Sequence, residues 1–189
     1  QSNHARQTAA ACARLGLGCD LILVRRVPRT DSDHASSGNV LLDRVLGATL
    51  HAVDDDAEAA RVLARRLAEL EAAGRRVAVV PPGGSNATGT LGYVRAALEL
   101  ALQWTALGVE PAALWLACST TGTQAGLVVG LSALGTTTRI EGVDVYAGDA
   151  VAQQTALRAL VDQTASVLDL TPPGDDRLNV DAGLSLIHI

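Results

Sequence analysis

Short apolar runs alternate with alanine- and leucine-rich helical segments along most of this chain, and that alternation leaves few folds open. Residues 20–24 (Asp-Leu-Ile-Leu-Val) read as a strand, and residues 48–53, 76–80, 112–117 and 139–145 read as four more. Between them the spacing predicts helices over 9–16, 39–46, 57–73, 91–107, 123–134 and 151–168, several of them closed by glycines such as Gly16, Gly47 and Gly74. In the 57–73 segment Val62, Leu63, Leu67 and Leu70 share one helical face. Strands separated by helices are joined by crossovers rather than hairpins, so they pair in parallel, and the crossovers are right-handed. The expected fold class is α/β, with open parallel sheets and helices on both faces.

The core of such a fold must be assembled here from small aliphatic side chains. Apolar residues make up 48% of the chain but aromatic residues only 2%, and there is no Phe. Alanine, valine and leucine suit helices packed closely on a buried sheet. The 15 basic and 20 acidic residues give a net charge of -5. With so few stacking side chains, an acidic balance argues against nucleic acid, which needs basic stripes and aromatic platforms. No apolar run approaches the roughly 18 residues of a membrane span. Cys12, Cys19 and Cys118 lack metal-ligand spacing and read as small buried hydrophobes in a reducing compartment. All 15 basic residues are arginine, so the sequence contains no lysine.

Three stretches carry the polar chemistry. Ser2 and Asn3, both good helix caps, stand before an alanine-rich helix with His4 next to them. Helix N-termini present unpaired N–H groups and partial positive charge, so this end suits a carboxylate or phosphate. His4 is either a general base there or a polar neighbour of the cap. Ser119-Thr120-Thr121-Gly122-Thr123-Gln124-Ala125-Gly126 follows a strand and opens a helix, the position where doubly wound sheets bind ligands. Its hydroxyls, backbone N–H groups and glycines would suit a phosphate, and equally a plain capped helix; it is neither a Walker loop nor a dinucleotide fingerprint. Gly83-Gly84-Ser85-Asn86-Ala87-Thr88-Gly89-Thr90 has the same placement and reads as a flexible connection or as a hinge beside a ligand. The preceding Pro81-Pro82 marks a hinge or domain boundary. Asp54-Asp55-Asp56 caps a helix or contributes to a metal site. His34, His51 and His188 have no evident partners in the sequence.

Taken together, Gln1-Ser2-Asn3-His4-Ala5-Arg6-Gln7-Thr8, Gly38-Asn39-Val40-Leu41-Leu42-Asp43, Pro82-Gly83-Gly84-Ser85-Asn86-Ala87-Thr88-Gly89-Thr90-Leu91-Gly92-Tyr93-Val94 and Thr121-Gly122-Thr123-Gln124-Ala125-Gly126 resemble the family of D-cysteine desulfhydrase and 1-aminocyclopropane-1-carboxylate deaminase. These are pyridoxal-phosphate enzymes of the tryptophan-synthase-β type, fold type II. The resemblance runs in order to about residue 170 and implies an internal fragment, incomplete at both ends. It implies that residues 1–80 form most of a small, substrate-side domain, that 81–183 form part of a large cofactor-binding domain, and that 184–189 are a non-native tail. Ser2 and His4 would then be catalytic, while Asn3, Thr120, Thr121, Gly122 and Thr123 would hold pyridoxal 5'-phosphate.

The implied reaction is β-elimination on D-cysteine or a related amino acid, giving pyruvate, sulfide and ammonia. The cofactor ring serves as the electron sink. Histidine after Ser2-Asn3 resembles the desulfhydrases, whereas ring-opening deaminases typically carry glutamine. The alternatives are that deaminase reaction, giving 2-oxobutanoate and ammonia, and a non-catalytic relative that binds a phosphate or carboxylate. The resemblance also implies a cytoplasmic enzyme with a small amino-acid substrate, homodimeric at full length. The lysine that carries the cofactor is expected before Gln1, so the segment alone is expected to be inactive.

Overall fold

Parallel pairing, as expected of strands separated by helices, is what the backbone adopts. A computed structural model describes residues 2–27, 31–145 and 149–181, and the chain divides into two units, Gln1–Val79 and Val80–Ile189.

In the first unit the order is α1 (Asn3–Leu15), β1 (Asp20–Val24), α2 (Ser32–Ser36), α3 (Gly38–Val45), β2 (Thr49–Val53) and α4 (Asp56–Ala72). The two strands pair in parallel with Asp20 opposite Thr49 and Val24 opposite Val53. Helix α1 ends in a left-handed turn at Gly16 (φ 67°), where a side chain would be strained. The turn returns the chain so that β1 packs beneath the helix. The buried centre is small: Ala5, Ala9 and Leu21, with Cys19, Leu23, Leu46, Ala48 and Leu50 around them. The acidic trio before α4 is a cap. The Asp55 carboxylate accepts the Glu58 N–H at 2.6 Å, and the Glu58 carboxylate reaches back to the Asp54 N–H at 2.8 Å. Asp54 and Asp56 also pair with Arg25 and Arg26 at 3.0 and 2.6 Å.

In the second unit the order is α5 (Ala87–Leu107), β3 (Ala113–Cys118), α6 (Gly122–Ala133), β4 (Arg139–Asp144), α7 (Ala150–Val167) and β5 (Asn179–Asp181). The strands lie side by side as β3-β4-β5, all parallel. Helix α6 is the centre of this unit, and nine of its residues from Gly122 to Leu131 are buried. Leu127, Val128, Val129 and Leu131 pack with Ile140, Leu157, Leu160 and Val161. The close approach of α5 to α6 runs over Gly126 and Gly130. A Cβ on Gly126 would lie 2.5 Å from the Thr90 carbonyl oxygen, and one on Gly130 would lie 2.5 Å from the Ala97 Cβ. A core without Phe is therefore closed by bringing backbones together rather than by filling space with rings.

Gly92, on the exposed side of α5, has no such neighbour: a Cβ there meets nothing within 4 Å. Glycine inside a helix costs about 0.5–1 kcal/mol relative to alanine. Gly92→Ala is expected to stabilise the chain by that amount, read as a higher urea midpoint at unchanged slope.

Two expectations are corrected. Residues 76–80 form no strand among the described residues, and Val77, Val79 and Val80 are exposed. β-branched side chains suit a pleated surface, but a strand exists only through its partner's ladder, which composition does not supply. The second is that α2 and β5 form where the sequence pattern marks neither helix nor strand. The expected tail over 184–189 lies outside the described residues.

Candidate functional site

Ser2 is the N-cap of α1, with extended backbone (φ -104°, ψ 122°), and its Oγ accepts the Ala5 N–H at 3.1 Å. The hydroxyl proton stays available for donation, because accepting a bond does not use it. Asn3 opens the first turn, and its Oδ1 accepts from the Asn39 Nδ2 at 2.8 Å. Two of the sequence motifs, one at the front of α1 and one at the front of α3, are thus joined by an amide pair. The bond orients the Asn3 carboxamide so that its NH2 group points away from Asn39 as a donor. His4 is half-buried, and its carbonyl accepts the Thr8 hydroxyl at 3.0 Å.

Beneath the same helix, Asp43 of α3 is 1% exposed. Burial pushes its carboxyl up, opposed by the charge of Arg6.

The loop after β3 is built in the second unit. Cys118 ends the strand and is buried, and its thiol is pushed up by that burial, against a hydrogen bond from the Thr121 N–H. Thr121, the N-cap of α6, sits in the left-handed region (φ 60°, ψ -13°), and its side chain makes no capping hydrogen bond. A threonine costs about 1–2 kcal/mol in that conformation. Thr120 is exposed, and its Oγ1 accepts from the Ser85 Oγ at 2.7 Å, leaving its own proton to donate outward. The glycine-rich segment and the threonine loop are therefore one structure: a Cβ on Gly122 would meet the Ser85 Oγ at 2.6 Å, and one on Gly83 would collide with Thr120.

Two glutamines hold the loop and the sheet beside it from behind, and Gln153 lies outside every sequence motif. Gln153 of α7 donates to the Ser119 carbonyl at 2.9 Å and to the Asp144 carboxylate at 3.2 Å. Gln124, fully buried, donates to the Asn179 carbonyl at 2.6 Å and so fastens β5 to the sheet. A glutamine in an otherwise apolar helical face was the available signal for Gln124.

Of the other histidines, His51 has a partner. Its Nε2 lies 2.7 Å from the Asp20 Oδ1, and Arg66 of α4 approaches the same oxygen at 3.1 Å. His34 lies in α2, where its N–H bonds to Asp31 at 2.8 Å, and His188 is outside the described residues. Burial pushes the Asp20 carboxyl up, but the hydrogen bonds from His51 and Arg66, and their charges, hold it below its ordinary value. A carboxylate with a lowered folded-state pKa contributes stability above its unfolded value of about 3.9, and loses it as pH falls through the lower folded value. The stability difference between wild type and Asp20→Asn should therefore begin to close as pH falls below about 4. Urea midpoints across that range read it directly, and an unchanged difference at low pH would contradict the pairing.

Among the described residues no helix is long and apolar enough to cross a membrane, and no group of three or more His, Cys, Asp or Glu is placed to hold a metal ion.

Comparison with known proteins bears on both units. Residues 1–181 match the model of the family described as pyridoxal-phosphate dependent enzyme. The chain is 41% identical over 145 residues to D-cysteine desulfhydrase of Serratia proteamaculans (strain 568), an alignment covering 77% of this chain and 44% of the relative. The chain thus spans less than half the length of that curated relative. A solved ACC deaminase homologue superposes with a TM-score of 0.80 at 33% identity, covering 95% of this chain and 52% of its own. The T.th. threonine deaminase superposes with a TM-score of 0.57 at 26% identity, over 79% of this chain and 44% of its own. With the family model matching residues 1–181, this chain belongs to the family of pyridoxal-phosphate dependent enzymes.

Proposed function

We propose that the protein carrying this sequence is a pyridoxal-phosphate dependent carbon–sulfur lyase acting on D-cysteine or a similar β-substituted amino acid, releasing sulfide, pyruvate and ammonia. The observation that carries this reading is the head of α6. Thr121 supplies no side-chain cap, and the neighbouring Thr120 hydroxyl is turned by Ser85 so that its proton is free to donate. A helix start of this kind favours a dianionic phosphate through its N–H groups and dipole.

When bound, the cofactor supplies an electron sink for the α-carbon. The residues of this chain would contribute binding, orientation and proton transfer. Thr120, Thr121, Gly122 and Thr123 would hold the phosphate by backbone N–H groups and hydroxyls. The Asn3 NH2, its orientation fixed by Asn39, would donate to the cofactor ring. Ser2 donates its hydroxyl proton to the substrate carboxylate while still capping α1. His4 would move a proton at the substrate, since an imidazole ring can both accept and donate one. Identity with D-cysteine desulfhydrase supports the choice of substrate.

The test is an assay of the full-length protein with pyridoxal phosphate, given D-cysteine or 1-aminocyclopropane-1-carboxylate in parallel. Sulfide and pyruvate from the first substrate are expected. Release of 2-oxobutanoate from the second, without sulfide from the first, would replace the lyase reading with the deaminase. Absence of both products, with cofactor bound, would favour a non-catalytic binding protein.

A further inference from the structure

The first unit holds two thiols close together that the proposed chemistry does not use. Residues 5, 9 and 12 share one face of α1 because they are spaced four and three apart. Ala5 and Ala9 on that face are buried against Leu21, and Cys19 packs into the same cluster. The left-handed turn at Gly16 makes this possible: the Leu17 N–H bonds to the Cys12 carbonyl at 2.9 Å, turning the chain back along the helix. Cys19 then stands at the entrance to β1, its carbonyl accepting the Thr49 N–H at 2.8 Å. The Cys12 and Cys19 side chains are near neighbours there, close enough for the Cys12 thiol to bear on the titration of Cys19. Both are partly exposed, whereas Cys118 is buried.

We propose that Cys12 and Cys19 are an oxidisable pair, which forms an intrachain disulfide by exchange with a small-molecule disulfide such as oxidised glutathione. The Cys12 thiolate attacks one sulfur of the reagent, breaking its S–S bond and releasing one thiol. Cys19 gives its proton to solvent and attacks the Cys12 sulfur, releasing the second thiol. The protein loses two electrons and two protons, and the reagent becomes two thiols. Burial, the Cys12 thiol and the carboxylates of Asp20 and Asp43 push the Cys19 thiol up to about 11, so it is rarely a thiolate and takes the second, intramolecular step. There proximity to the mixed disulfide compensates for a low thiolate fraction. The bond would fasten the C-terminal end of α1 to β1 and leave the Ser2–His4 end untouched. This inference stands apart from the cofactor chemistry.

Trypsin separates the two cysteines, because cleavage after Arg6, Arg14 and Arg25 places them on peptides 7–14 and 15–25. The full chain is incubated with oxidised glutathione, alkylated, digested without reduction and analysed by mass spectrometry. The expected major product is the two peptides joined, released by reductant. It should be lost in Cys12→Ser and in Cys19→Ser, where the remaining thiol stops at the glutathione adduct. Glutathione adducts on both cysteines of the wild type, without the joined peptides, would overturn the proposal. So would joining that occurs in urea but not in the folded chain.

Discussion

Gly126→Val is expected to destabilise the second unit by about 3 kcal/mol, a large effect for one side chain. On propensity alone the change should help, since glycine is the poorer helix former. Packing decides the sign. An added Cβ at Gly126 sits 2.5 Å from both the Thr90 carbonyl oxygen and the Tyr93 Cβ, and 3.1 Å from the Tyr93 carbonyl carbon. Two of those three atoms are backbone of α5 and cannot rotate away, so the helices must separate. Separation opens the seam where Ala97 is fully buried and loosens the cluster around Leu131, Ile140 and Leu157. Thr90 is also tied to Thr164 of α7 by a buried 2.7 Å hydrogen bond, so a shift of α5 disturbs a third helix. Urea unfolding followed by circular dichroism measures the loss. A Gly126→Val midpoint equal to wild type would show that α5 and α6 are not packed as described, and Gly92→Ala in the same helix pair should move the other way.

Gly122→Val should weaken pyridoxal-phosphate binding on the order of a hundredfold, the worth of one or two charge-assisted hydrogen bonds. Gly122 is buried at the first turn of α6, and a Cβ there meets the Ser85 Oγ at 2.6 Å and the Ser85 Cβ at 3.3 Å. Ser85 must turn away, and it then no longer orients the Thr120 hydroxyl. The branched methyl groups also crowd the N–H groups that would receive the phosphate. The effect on fold should be smaller than for Gly126→Val, because the obstructed atoms belong to a short side chain. Equal cofactor affinity in the variant, measured by fluorescence or absorbance titration, would separate the phosphate from this loop.

Much of the architecture was legible because it rests on local pattern. The apolar run at 20–24 and the helical stripe of Val62, Leu63, Leu67 and Leu70 each follow from the period of one element. What escaped was non-local. Residues 76–80 have the composition of a strand without a partner, whereas Asn179-Val180-Asp181, short and polar, is a strand because β4 lies beside it. At the site, capping by Ser2 and the threonine loop could be read from residue type. The left-handed backbone of Thr121 could not, since threonine disfavours it and only the surrounding packing imposes it. The Asn3–Asn39 and His51–Asp20 pairs join residues 36 and 31 positions apart, and no periodicity links them. Gln153 supports the loop from 34 positions away and was invisible for the same reason.

The central claim is that the head of α6 receives the phosphate of the cofactor. The most direct measurement compares pyridoxal phosphate with pyridoxal, which lacks the phosphate, by equilibrium titration of the full-length protein, with inorganic phosphate as competitor. Pyridoxal phosphate should bind at least about a hundredfold more tightly, inorganic phosphate should displace it, and Gly122→Val should abolish most of the difference. Equal affinity for the two forms, unaffected by phosphate, would contradict the claim.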